Sequence, residues 1–384
     1  NLGNLKDAEL SYRKAIEIKP DFADAHINLG NILKDLGKPE ESRDIYKDAL
    51  KFIPNDLILT LLYKLSLSTI QSEEKQIDIE RKNFHEKILE LYNDNELIFK
   101  TDIITSLDIF YLAYHNRYDD RLILENLSSA LSKVDGLVNK SFNKRHHIDS
   151  IIKENKIKLG ICSDYLCNHT IGHLFGNIIK DLSNRDFHIV IFRGPNSKED
   201  EISISIDRSV DKSIKLPHSL RQSCDLILKE SLDILFYTDI GMSPHTYLLS
   251  LSRLAMVQVN SFGHPNTSGS KNIDYFISSY DTETDNSDKY YTEKLIRFTR
   301  LPFNYSKPKI KNSEFRRQSL NLPKDSFLIG IPQSLFKFHP GYDYYLDKIM
   351  EEIPNAYLLI IKSKKEYENR ILQNRWKNDT KFIL

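Results

Sequence analysis

The stretch Ser-Asp-Tyr-Leu-Cys-Asn-His-Thr-Ile-Gly-His, residues 163–173, sets a carboxylate, a carboxamide and two imidazoles directly after the apolar run 157–162. Imidazole titrates near neutrality, so His169 could act as a general base or hydrogen-bond an acceptor group. His169 and His173 stand four apart, a spacing that suggests a metal site. Thr170, however, stands where a zinc protease would carry its glutamate and no third ligand is evident, so no metal is expected. A second stretch, Gly263-His264-Pro265-Asn266-Thr267-Ser268-Gly269, joins turn-forming residues to two hydroxyls. Such a loop can turn sharply and expose N–H groups and hydroxyls to a polar ligand. Lys337 follows an apolar run and precedes a proline-started helical stretch, where an ammonium and a helix N-terminus can meet a phosphate together. Each feature alone has a blander explanation: a structural histidine, a connecting loop, a surface lysine.

Such residues need strand ends to hold them. After residue 156, short apolar runs alternate with helical stretches. Strands are expected at 156–162, 188–193, 213–216, 233–237, 256–261, 275–278 and 295–298, and helices at 171–182, 219–230 and 244–251. This alternation predicts a mostly parallel sheet with helices on both faces. The polar stretches at 163–173, 237–245, 262–275 and 332–340 then fall at strand ends, where open α/β sheets bind ligands. A second such unit is expected from about 325, with strands at 327–332 and 356–362 and helices at 340–352 and 365–376. The closing Lys-Phe-Ile-Leu reads as the stub of a third strand.

The first 54 residues repeat themselves. Leu2, Gly3, Tyr12, Ala15 and Pro20 recur 34 positions later as Leu36, Gly37, Tyr46, Ala49 and Pro54. That is the tetratricopeptide period. Gly3 and Gly37 suit the turn between paired helices, Ala15 and Ala49 allow close approach, and Pro20 and Pro54 end the second helix. Residues 55–135 stay helical in pattern, including the aromatic-rich 106–120, and 136–156 reads as a polar linker or surface loop. The domains are therefore expected as repeats over 1–68, a helical linker region over 69–156, one Rossmann-like lobe over 157–305 and the start of another over 306–384.

Lys+Arg and Asp+Glu each number 54, which gives no sign of nucleic-acid or membrane-surface binding. No apolar stretch approaches a membrane span. Three scattered cysteines do not make a disulfide framework and fit a reducing cytoplasm. An opening without Met and an apolar close read as cut ends. The expectation is a fragment with more repeats upstream, an unfinished second lobe and negligible activity on its own.

The four stretches together resemble glycosyltransferase family 41, which includes the O-linked N-acetylglucosamine transferases, the SPINDLY-like proteins and bacterial relatives. The animal pattern Ser-Asp-Phe-Gly-Asn-His-Pro-Thr-Ser-His is similar to the stretch carrying Ser163, Asp164, Tyr165, Asn168, His169 and His173. Tyr-Pro-Gly-Thr-Ser-Gly is similar to His264, Pro265, Asn266, Thr267, Ser268 and Gly269. Met-Asp-Tyr corresponds to Ile273, Asp274 and Tyr275, and Asn-Gln-Leu-Tyr-Lys to Gln333, Ser334, Leu335, Phe336 and Lys337. The resemblance implies a tetratricopeptide superhelix followed by two Rossmann-like lobes in the B-type glycosyltransferase arrangement, the second incomplete here. It implies inverting, metal-free transfer of a sugar, N-acetylglucosamine from UDP-GlcNAc first among candidates, to protein acceptors gathered by the repeats. His169 and Lys337 would be the catalytic groups, and the remaining matched positions, Asp164, Asn168, His173, His264, Pro265, Thr267, Ser268, Gly269, Asp274 and Gln333, would contact substrates. O-fucosyl or asparagine-glucosyl transfer remains open, as does a repeat scaffold with an inactive enzyme lobe.

Overall fold

Gly37 carries the chain through a φ of 84° between α2 (Ala23–Asp35) and α3 (Pro39–Phe52). Left-handed backbone of this kind strains a residue with a Cβ, and glycine escapes the strain. The Lys38 N–H closes back on the Leu33 carbonyl at 2.8 Å, and Pro39 opens the next helix. The helix pair is locked by one exchange of size. Gly30 on α2 leaves room for Tyr46 on α3, and a Cβ at Gly30 would fall 2.1 Å from the tyrosine ring. Tyr46 is fully buried, donates its hydroxyl to Asn31 Oδ1 at 3.2 Å, and shares a core with Ala49, Leu59 and Leu62. The preceding α1 (Leu2–Ile18) runs straight through Gly3, so the expected turn there is helix instead. Glycine accepts either conformation, and the packing of α2 on α3 is what selects the turn at Gly37.

The computed structural model describes residues 2–54, 56–94, 107–117, 119–140, 156–183, 186–307, 317–320, 322–363, 371, 375–376 and 382–383. The chain divides into two units. One holds Asn1–His85, Tyr114–Asn116 and Pro308–Leu384, and the other Glu86–Ala113 and Arg117–Lys307. After the repeats come α4 (Leu57–Lys64), N-capped by Asp56, and α5 (Glu74–Asn93). The aromatic-rich segment expected as an α-helix forms a 3-10 helix at Asp108–His115, followed by α6 (Arg121–Leu131).

In the second unit the chain alternates strand and helix: β1 (Ile157–Ser163), α7 (Thr170–Ser183), β2 (Phe187–Arg193), α8 (Glu201–Asp207), β3 (Lys212–Lys215), α9 (Leu220–Lys229), β4 (Ile234–Tyr237), α10 (Pro244–Ser250), β5 (Val257–Ser261), β6 (Tyr275–Ser279) and β7 (Lys294–Phe298). The seven strands are parallel in the order β3-β2-β1-β4-β5-β6-β7. The order reverses between β1 and β4, which makes their carboxyl ends the topological switch point. Ile171, Phe175 and Ile179 form a stripe at four-residue spacing on α7 and bury it against Leu159, Ile161, Ile189 and Ile191 of the sheet. Helix α8 is absent from the sequence expectation, because residues 195–201 are polar enough to read as loop. A capping box starts it: Asp200 accepts from the Ser203 N–H and Ser203 Oγ hydrogen-bonds back to the Asp200 backbone.

The first unit continues with β8 (Phe327–Ile331), α11 (Asp343–Glu352), β9 (Ala356–Ile360) and β10 (Phe382–Ile383), a parallel sheet ordered β10-β9-β8. The terminal stub pairs with Leu358 and Leu359, so this sheet has three strands among the described residues. Leu335, Phe338, Leu346, Leu358, Ile360, Ile371 and Trp376 form its core together with Ile70, which comes from the segment between α4 and α5. The helix expected at 365–376 lies mostly outside the described residues, as does 141–155 of the expected linker. Among the described residues, no helix is long and apolar enough to cross a membrane.

Candidate functional site

The loop between β1 and α7 lies at the switch point of the seven-stranded sheet, and its first residue turns inward. Asp164 is 4% exposed. Its N–H donates to Asp239 Oδ2 at 2.9 Å, and its carboxylate accepts from Ser243 Oγ. A Cβ on Gly194 would fall 2.0 Å from Asp164 Oδ1. Asp164 therefore anchors the loop, with its carboxylate turned inward. Ser163 Oγ also donates to Asp239 Oδ2, at 3.2 Å, and accepts from the Tyr165 N–H at 2.9 Å. Burial, and then the neighbouring Asp164 charge, push the Asp239 carboxyl up to about 8 against the hydrogen bonds that pull it down.

This carboxyl makes stability depend on pH. The folded chain keeps a proton on Asp239 that the unfolded chain has lost above about pH 4, so this contribution declines as pH rises towards 8. Buried His245 and His264, both lowered to about 4, act oppositely and cost stability as pH falls below about 6.5. Asp239→Asn should therefore raise the Tm more at pH 8 than at pH 5. Thermal scans at the two pH values check this, and an equal shift at both would count against it.

His169 is half-buried under the Tyr165 ring, with centroids 4.7 Å apart. Its Nδ1 accepts from the Ile171 N–H at 3.3 Å, which leaves the neutral ring's proton on Nε2. Burial first, then the charges of His173 and Lys198, hold its pKa below the ordinary imidazole value. The ring is thus a neutral hydrogen-bond donor at pH 7, and it becomes a base at Nε2 only if the tautomer changes. Asn168 is exposed. Its N–H donates to Asp200 Oδ2 at 2.6 Å, and its Oδ1 accepts from His173 Nε2 at 3.1 Å. Burial raises the Asp200 carboxyl, but N–H bonds from Ser203, Asn168 and Ile202 outweigh it and leave the pKa low. Arg193, at the end of β2, donates to the Leu166 carbonyl at 2.8 Å and to Ser203 O and Asp207. Asp200 and Arg193 position the histidine loop, and the sequence reading missed both. The Asp-x-x-Ser capping pattern at 200–203 was the available signal for Asp200. Beside exposed His173 opens a cleft of about 290 Å³ between α7 and α8, lined by Asn177, Lys180, Glu201 and Ser205 among others.

The 263–269 loop turns at Gly269, φ 69°, where a Cβ would strike the Leu124 backbone at 2.3 Å. Its hydroxyls turn onto a buried carboxylate. Thr267 Oγ1 donates to Glu293 Oε2 at 2.5 Å, and the Ser268 N–H donates to Oε1 at 2.8 Å, with Ser268 Oγ on the same oxygen. Both residues and Glu293 are buried. This corrects the expectation of exposed hydroxyls, because a carboxylate 25 residues downstream satisfies them. His264 is likewise interior: its Nε2 lies 3.3 Å from the Phe110 carbonyl and its ring 5.4 Å from the Phe110 ring. Asp274 pairs with Arg253 at 2.6 Å and accepts from the Gln258 N–H at 2.8 Å, so it fixes the start of β5. Pro265 is exposed at the mouth of a small polar pocket of about 130 Å³, lined also by Asn266, Asp120 and Glu283. Glu293→Ala should destabilise the fold by roughly 3 kcal/mol, since it strands two buried hydroxyls and one N–H. Urea titration measures the loss, and a change within 0.5 kcal/mol, about the scatter of a neutral surface substitution, would remove Glu293 from this role.

Lys337 and Gln333 belong to the first unit. Both are exposed after β8. Lys337 Nζ lies 5.5 Å over the Tyr114 ring and 5.9 Å from that of Phe336. The helix expected to begin at Pro340 starts as a 3-10 turn, and α11 proper begins at Asp343. The Asp343 carboxylate sits at that N-terminus and binds Arg375 at 2.7 Å. The helix end is thus already supplied with an anion, and the charge available to a phosphate is that of Lys337 itself.

Residues 115–304 match the glycosyl transferase family 41 model, and residues 1–37 and 23–56 match tetratricopeptide repeat models. The chain joins tetratricopeptide repeats to a family 41 glycosyltransferase domain. The family 41 match takes in all of β1–β7, the histidine loop and the 263–269 loop. A probable UDP-N-acetylglucosamine–peptide N-acetylglucosaminyltransferase, SEC, of Arabidopsis thaliana is 23% identical over 219 residues, 54% of this chain and 22% of its own length. The protein O-mannosyl-transferase TMTC3 of Homo sapiens is 32% identical over 105 residues, 27% of this chain and 11% of its own. The chain thus spans about a fifth or less of these relatives. The solved structure of a Thermobaculum terrenum O-GlcNAc transferase mutant superposes with a TM-score of 0.60 at 16% identity, covering 100% of this chain and 71% of that one. The two share the fold: a helical repeat region followed by parallel-sheet α/β lobes.

Proposed function

We propose that this protein is an inverting glycosyltransferase that moves N-acetylglucosamine from UDP-GlcNAc to Ser or Thr of acceptor proteins, without a metal. The observation that carries the reading is the His169 loop, which stands at the topological switch point of a domain matching family 41. The acceptor oxygen attacks the anomeric carbon, the bond to the diphosphate breaks, and the acceptor proton passes to the departing phosphate or to solvent. His169 offers the acceptor side a positioned N–H. Lys337 neutralises the departing diphosphate, and Gln333 contacts the donor. The repeats present a surface to acceptor proteins, and the three buried free cysteines fit a cytoplasmic setting.

A scaffold with an inactive lobe is the second reading. It is favoured by the closure of Thr267, Ser268, His264 and Asp274 onto their own structural partners. A nucleotide-release screen of the full-length protein with UDP-GlcNAc, UDP-glucose and GDP-fucose separates the two. Preferred release from UDP-GlcNAc supports the proposal, preference for another donor changes the sugar, and no release from any donor leaves the scaffold.

A further inference from the structure

Arg375 reaches three parts of the first unit at once. Its Nε and Nη2 donate to the two Asp343 oxygens at 2.8 and 2.7 Å. Its Nη1 donates to the carbonyl of Phe338, the residue after Lys337, at 2.7 Å, and to the Gln71 carbonyl at 3.3 Å. The side chain is 1% exposed. Trp376 adds a bond from Nε1 to Asp343 Oδ1 at 3.0 Å, and its ring packs 5.8 Å from that of Phe338. A buried guanidinium carries a large desolvation penalty that well-packed apolar groups avoid. What it offers in return is geometry, a planar fork that fixes several acceptors at once.

Gln71 is itself fixed. Its Nε2 donates to Glu80 Oε2 at 2.6 Å, while Glu80 Oε1 accepts from the Ser68 N–H and Oγ at 2.9 and 2.7 Å. Glu80, Gln71 and Ser68 are all buried. The Phe338 carbonyl is therefore held from the first residue of α11 and, through Gln71, from α5. Lys337, in contrast, is exposed, and its turn is closed locally by Lys337 N–H to Ser334 O at 2.9 Å and Phe338 N–H to Leu335 O at 3.1 Å.

We propose that Arg375 is a positioning residue for Lys337, fixing the turn that presents its ammonium to the nucleotide diphosphate, with Gln71 and Glu80 as the buttress. The donor half of this rests on the reading of Lys337 given above.

The test uses Arg375→Lys in the full-length protein, with Asp343→Asn as a second variant that loosens the same fork. Amide hydrogen exchange at Lys337 and Phe338 should quicken by about 10-fold or more, while Leu358 and Ile360 in β9 keep their protection. Donor turnover should fall by about 10- to 100-fold, as a displaced group does. In a Lys337→Ala background the same substitution should cost less than about 2-fold, because residues acting as one unit are not additive. Unchanged exchange at the turn, or equal acceleration through β8 and β9, would overturn the proposal, as would a full loss persisting without Lys337. If the wild type turns over no donor, the functional reading fails, and the exchange measurement still decides whether Arg375 fixes the turn.

Discussion

Replacing Lys337 by alanine is expected to lower sugar transfer by about 10²- to 10³-fold, the usual cost of removing one preorganised group from a leaving anion. The effect should appear in kcat and in kcat/KM alike, because the diphosphate gains charge as it departs and the ammonium matters most at that moment. The helix behind it cannot substitute, since its N-terminus already holds the Asp343 carboxylate and its Arg375 partner. Lys337→Arg should recover little. The Lys337 ammonium lies over the Tyr114 ring, and a planar guanidinium stacks on such a face more readily than a compact ammonium does. It would be drawn to the ring and away from the phosphate. Steady-state kinetics of the three forms decides this, and equal activity in all of them would return Lys337 to an ordinary surface lysine.

His169→Ala should cost about 100-fold in turnover, the range for a lost acid–base or hydrogen-bonding group. The fold should survive. The ring is only half-buried, and the loop around it is held elsewhere, by Asp239 under Ser163 and Asp164, by Asp200 on Asn168, and by Arg193 on the Leu166 carbonyl. Turnover and thermal scans should be read together. A large loss with an unchanged Tm is the expected result, and near wild-type turnover would remove His169 from the mechanism.

Much of this scaffold was legible beforehand, for physical reasons. The repeat announced itself because Gly37 must take the left-handed turn between the helices while Tyr46 and Ala49 fill their shared core. The parallel strands read clearly because strands buried on both faces must be apolar throughout, as Ile189, Val190, Ile191 and Phe192 are. The site loop was legible as polar residues at a strand end. What each polar residue does there was not. Thr267 and Ser268 look like ligand groups until Glu293 is placed beneath them, and nothing local to 263–269 reveals it. Asp164 meets Ser243 and Asp239 only because β1 and β4 pair across about seventy-five intervening residues. The 3-10 segment at Asp108–His115 shares its apolar density with an α-helix, so composition could not separate the two. Arg375 was hidden for the same reason as Asp164. Its partners Asp343, Phe338 and Gln71 are distant in sequence, and a lone arginine carries no motif.

The most direct test of the account is intact-mass analysis of a protein acceptor incubated with UDP-GlcNAc and the full-length protein, run beside the Lys337→Ala and His169→Ala forms. The account predicts one or more N-acetylhexosamine units on the acceptor, located to Ser or Thr, with the wild type and only traces with either variant. An unmodified acceptor with every donor offered, or equal modification by all three proteins, would contradict it.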